Sequence, residues 1–109
     1  MRTPTPPIHP CSTLAELRQH IDALDERMVA LLVERSGYVA QAARIKQSAD
    51  QVHDQPRIDF IVDRVKALAR EAGAPEAVME ATYRAMIAAF IDFEGGEFKR
   101  LRPPSPQEA

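Results

Sequence analysis

Cysteine occurs once in these 109 residues, at Cys11, so no internal disulfide can form and the chain suits a reducing, cytoplasmic setting. No apolar run approaches the ~18 residues that a membrane span needs, and the first ten residues lack a signal-peptide apolar core. Charge of neither sign dominates. The 14 Lys and Arg against 16 Asp and Glu leave a net charge of −2, with no basic field for nucleic acid and no polybasic patch for a membrane. Strand-like alternation and internal repeats are missing, and so are a Gly-rich phosphate loop and a nucleophile–base pair. His9 and Cys11 resemble half of a metal site, but no second pair at ligand spacing follows, so the expectation is an exposed segment with no metal and no cofactor. With 45% hydrophobic residues, the length fits one small domain.

What is present is helical. From Thr13 to about Ser48 the apolar positions Leu14, Leu17, Ile21, Leu24, Met28, Leu31, Tyr38, Ala42 and Ile45 recur three and four apart, the seam of a helix packed on other helices. Thr13 followed by Glu16 fits a capping box, with Ser12 as an alternative cap. From Thr13 on, proline is absent until Pro56, and Gly37 is the one glycine on the way, a place where the helix can kink. Some 35 residues at ~1.5 Å each make a rod of ~50 Å, longer than a globule of this mass. The overhang predicts a homodimer with two long helices side by side.

Residues 47–55 are polar and read as a loop. Asp54 or Gln55 caps a second helix with Pro56 at its first position, running to about Ala72 on an apolar face of Ile58, Ile61, Val62, Val65, Leu68 and Ala69. Gly73 ends it as a left-handed cap. A third helix runs from near Pro75 to about Phe93, with Val78, Met79, Tyr83, Met86, Ile87, Phe90 and Ile91 on its apolar face. Gly95-Gly96 then loosens or ends it, although Phe98 and Leu101 can dock a further turn. The predicted architecture is all-α, one long helix and two shorter ones. Residues 1–12, with prolines at 4, 6, 7 and 10, form a flexible arm, residues 13–101 the helical domain, and the Pro-rich 102–109 a disordered tail.

The seam has an anomaly. Between Leu31 and Tyr38 its position is taken by Arg35, and Arg18 and Lys46 stand one place after Leu17 and Ile45. With each residue advancing ~100°, Arg35 and Lys46 point within ~20° of each other, about three turns apart, and Arg18 lies ~100° round. Cations on a core-facing stripe cost several kcal/mol each unless paired. One reading pairs Arg18 with Asp22 and Arg35 with Glu34 or an acid of the second helix, with Lys46 reaching out to solvent. The other leaves an anion to be supplied from outside, and a small dicarboxylate suits two guanidinium forks and an ammonium. In an antiparallel helix pair Arg18 of one chain reaches the other chain's site. Glu94 shares the face of Tyr83, Ile87 and Phe90. It is either desolvated, raised in pKa and able to donate a hydrogen bond, or solvated at a frayed helix end.

The pattern LxxLRxxIDxLDxxLxxLLxxR, met almost position for position from Leu14 to Arg35, followed by Arg44-Ile45-Lys46 and a short-loop helix pair, resembles the all-helical (type II) chorismate mutases. The resemblance covers residue 13 to about 100. It implies an intertwined homodimer of three-helix chains with two active sites, in which Arg18 of the partner, Arg35 and Lys46 hold the two carboxylates and ether oxygen of chorismate. Glu94 falls where the family places a Gln or Glu that donates to that ether oxygen. Arg57 aligns with the family, but Ile58 stands where an acid is expected to contact the ring hydroxyl, with Asp54 and Asp59 nearby. A hydrophobic residue there is similar to the related isochorismate pyruvate lyases, whereas Glu94 is not the Gln of that branch. The expected function is therefore the Claisen rearrangement of chorismate to prephenate. The alternatives are formation of salicylate and pyruvate from isochorismate, and a non-catalytic helical dimer.

Overall fold

The computed structural model describes residues 7–102; the first six positions of the expected arm and residues 103–109 of the expected tail lie outside the described residues. Among the described residues there are three α-helices and a short 3-10 turn, and no strand: α1 Leu14–Ile45, the turn Ala49–Gln51, α2 Gln55–Glu71 and α3 Glu76–Leu101. The all-α expectation holds. The chain divides into two compact units, Met1–Arg35 and Ser36–Ala109, with α1 continuous through both and unbroken at Gly37.

In the first unit α1 is started by two residues acting together. The Thr13 hydroxyl accepts from the Glu16 backbone N–H at 3.1 Å, and Glu16 Oε2 accepts from the Ser12 backbone N–H at 3.2 Å. Such a cap contributes about 1 kcal/mol, because it satisfies donors the helix leaves open. Beyond the cap, this part of α1 buries nothing. Leu14, Leu17, Ile21, Leu24, Met28 and Leu31 are between 41 and 66% exposed.

The second unit packs. Asp54, rather than Gln55, caps α2: its carboxylate accepts from the Arg57 backbone N–H at 3.1 Å, with Pro56 in the first turn where its missing N–H costs nothing. Gly73, at φ +73°, closes α2. Ala74 N–H bonds back to the Ala69 carbonyl at 2.8 Å and Gly73 N–H to that of Arg70 at 3.2 Å, a Schellman ending. Arg70 then forks onto Glu76 across the tight turn, and Lys66 reaches Glu80 at 3.4 Å, so α2 and α3 lie side by side. Val62, Val65 and Ala69 of α2 and Ile87 of α3 are buried. Val78, expected on the apolar face of α3, is instead 61% exposed, one turn into the helix.

Three expectations change. α3 does not end near Phe93 but continues through Gly95-Gly96 to Leu101. Two interior glycines cost about 1 kcal/mol each relative to alanine; burial of Phe98 against Ala43, Val52 and Ile91 offsets this by roughly 2–3 kcal/mol. Val52, the one large apolar side chain of the polar loop, is a core residue at 8% exposure, directly after the 3-10 turn. On α1 the fully buried residue is Ala43, not the seam's Ala42, while Tyr38 and Ile45 are both 65% exposed. Within its own chain, α1 therefore uses the face of Ala43 and Lys46, three apart, and leaves the predicted seam outside.

Candidate functional site

Lys46 and Glu94 meet. Lys46 ends α1 by donating its backbone N–H to the Ala42 carbonyl at 2.9 Å, and its ammonium Nζ donates to Glu94 Oε2 at 2.7 Å. The Glu94 side chain is only 9% exposed and that of Lys46 26%. Among the described residues Glu94 is the buried charged one, and it lies inside α3, which continues past the two glycines. It is not solvated at a frayed end, and Lys46 does not reach out to solvent. A carboxyl taken out of water this far depends on its partner, and removing either member leaves an uncompensated charge.

A third residue fixes this pair. Arg102, expected to open the disordered tail, bridges the open carbonyls at the end of α1. Its Nη1 donates to Ala43 O at 2.9 Å, and its Nη2 donates to Arg44 O at 3.0 Å and Lys46 O at 2.6 Å. The guanidinium lies 3.9 Å over the Phe98 ring. A helix C-terminus carries partial negative charge and unsatisfied carbonyls, so a fork of donors is well matched to it. Sequence reasoning missed this contact. The available signal was the spacing of four between Phe98 and Arg102, which puts ring and guanidinium on one side of the helix end.

The other predicted residues have separate places. Arg57, at the start of α2, is exposed with its guanidinium 5.2 Å from the Phe60 ring. Ile58 beside it is half-buried. The acids near Ile58 are engaged: Asp54 caps α2, and Asp59 accepts from Gln55 Nε2 at 2.9 Å. Arg18 and Arg35 belong to the first unit, where Arg18 is exposed and Arg35 half-buried. An open groove of about 470 Å³ lies in the second unit between Ala49, Val52, Ile91, Gly95 and Phe98, and neither Lys46 nor Glu94 lines it.

This is a helical chain with a half-buried ammonium paired to a buried carboxyl, an arrangement able to hold a polar atom of a small ligand rather than to make a covalent bond with it. The sequence profile of the type II chorismate mutases matches residues 17–95, and the chain belongs to that family. It is similar to the chorismate mutase of Methanocaldococcus jannaschii, 34% identical over 64 residues, which is 58% of this chain and 65% of that protein. The alignment therefore spans just under two thirds of that relative's length. Among the described residues no helix is long and apolar enough to cross a membrane.

Proposed function

We propose that the chain catalyses the rearrangement of chorismate to prephenate. Family membership supports this reading, and the observation that carries it is the 2.7 Å contact between Lys46 and the buried Glu94. The reaction breaks the ether C–O bond as a C–C bond forms, with no nucleophile, metal or cofactor. It needs the reactive chair conformer to be held and the charge growing on the ether oxygen to be met. In this reading Arg35 and Arg18 clamp the two carboxylates, Lys46 donates to the ether oxygen, and Glu94, in contact with that ammonium, completes the same end of the site. Arg57 and Ile58 line the ring. Arg18 comes from a second copy, so the working unit is a homodimer; the exposed Leu14–Leu31 stripe supports such a partner, being apolar surface no residue of its own unit buries.

A second reading, isochorismate pyruvate lyase, is favoured by one observation. Ile58 is apolar and half-buried where a mutase would present an acid, and the neighbouring Asp54 and Asp59 hold local helix contacts. Product analysis by NMR separates the readings, with purified protein given chorismate in one tube and isochorismate in another. Prephenate from chorismate is the expected result. Salicylate and pyruvate from isochorismate, with slow prephenate, would replace it by the lyase. No product in either tube would leave a non-catalytic helical dimer.

A further inference from the structure

The N-terminal end of the first unit holds a cluster that the proposed reaction does not use. His9, Glu16 and His20 converge there, and one ligand atom of each lies within 4.8 Å of the others. We propose that these three side chains form a binding site for a transition-metal dication of the zinc type.

Local structure brings them together. Glu16 and His20 are four apart on α1 and so share a face. His9 is folded back onto that face: its Nε2 lies 3.2 Å from Glu16 Oε1, and its ring stacks on that of His20 with centroids 4.9 Å apart and 29° between planes. Pro7 and Pro10 restrict the backbone on both sides of His9, which lowers the entropy lost in holding it there. Cys11 points its thiol at the His9 carbonyl, Sγ to O 3.5 Å, away from a ligand role.

The carboxylate is oriented as a ligand's would be. Glu16 Oε2 is already engaged by the Ser12 N–H of the helix cap, and Oε1 faces the His9 imidazole. A ligating carboxylate held by a second hydrogen bond keeps its orientation and its charge. Two imidazole nitrogens and one carboxylate oxygen are a donor set for zinc, and they suit magnesium or calcium poorly. At ~2.0–2.1 Å from the metal, tetrahedral ligands stand about 3.3 Å apart, so closure needs side-chain rotations on the order of an ångström. His9 and His20 are exposed and free to make them. Three protein ligands leave a position for water. An ion seated there would tie the proline-rich arm to the first turns of α1, whatever reaction the protein carries out.

Titration calorimetry with zinc chloride, paired with NMR of the histidine rings, tests the site. The expected result is one zinc ion per chain and no binding of magnesium. Ring signals of His9 and His20 should move, while those of His53, in the second unit, should not. His9→Ala and His20→Ala should each weaken zinc by about tenfold or more, and so should Glu16→Gln, which keeps the capping geometry but loses the charge. These positions lie at the surface, and far-UV circular dichroism should be unchanged in all three. Parent-like zinc affinity in His9→Ala and His20→Ala would overturn the proposal. So would equal shifts of all three histidines, or loss of binding in Cys11→Ser with the histidine variants unaffected.

Discussion

The two halves of α1 are built from the same kinds of residue and end in different states. From Leu14 to Arg35 the helix has its cap, its good helix formers and a regular apolar stripe, yet none of these residues is buried. From Ser36 to Ile45 the stripe is no richer, but Ala43 is completely buried, and Arg102 closes the helix end. The difference is covering, not propensity. A helix becomes stable in water mostly through what its apolar face packs against. In the second half Phe98 and Val52 provide that cover; in the first half no described residue of its own unit does, and in the homodimer proposed above a second copy would.

The largest effect expected comes from attacking the exposed half. Leu24→Asp puts a charge into the stripe, and because a two-fold interface contains the site twice, at ~2 kcal/mol each, the dimer should weaken about a thousandfold. Sedimentation should show dimer in the parent and monomer in the variant; a monomeric parent would mean that the stripe has some other cover. Next in size is Arg35→Ala at the boundary, which should lower kcat/KM by ~10²–10³-fold with helix content unchanged. Unaltered turnover would remove Arg35 from the site.

Arg102→Ala tests the covered half. Losing charge-assisted bonds to three carbonyls should cost about 2 kcal/mol in denaturant unfolding, with Arg102→Lys restoring only part of it because an ammonium has no fork. An unchanged midpoint would show that Phe98 alone holds the end of α1. A smaller, sharper effect is expected at Glu94. Glu94→Ala removes the acceptor of the Lys46 ammonium and should lower kcat/KM by about tenfold, while Glu94→Gln, which keeps an oxygen for Lys46, should retain most of the activity. Unaltered kcat/KM in Glu94→Ala would remove Glu94 from the site.

The smallest effect concerns the surface of the α2–α3 pair and the end of α3. Hydrogen bonds from Arg70, from Arg84 and Lys66, and from Arg100 hold the carboxyls of Glu76, Glu80 and Glu97 below the ordinary carboxylate range. Their folded pKa values being depressed, the stability they contribute is present above the unfolded value of ~4.3 and is lost as pH falls through the folded values. All are solvent-screened, so melting temperature should drop only slightly over that window, and less in high salt. A salt-independent drop would point away from these pairs.

Much of this was legible in the residues. Thr13, Asp54 and Gly73 mark helix ends by chemistry that acts within a few positions, and the long 3–4 spacing of α1 leaves no other reading. Gly95-Gly96 misled for the same reason: a glycine pair weakens a helix locally, and only the burial of Phe98 shows why it persists. Arg102 reads as tail because its partners, Ala43 to Lys46, are more than fifty residues away. The ligand set proposed around His9 has no close-spaced sequence signature, because its other members, Glu16 and His20, stand four apart along one helix face.

By itself, then, the sequence determined three helices, most of their ends, the lack of an apolar run long enough for a membrane-spanning helix, the family, and an apolar stripe with cations along it. Those follow from interactions between residues three or four apart and from composition. Tertiary structure alone decided that Glu94 is buried and faces Lys46, forty-eight positions earlier, that Arg102 secures the helix carrying Lys46, and that α1 turns Ala43 rather than its seam toward its own core. Such pairings depend on which surfaces are left for one another after the helices have formed, and burial then sets the cost of a charge without its partner.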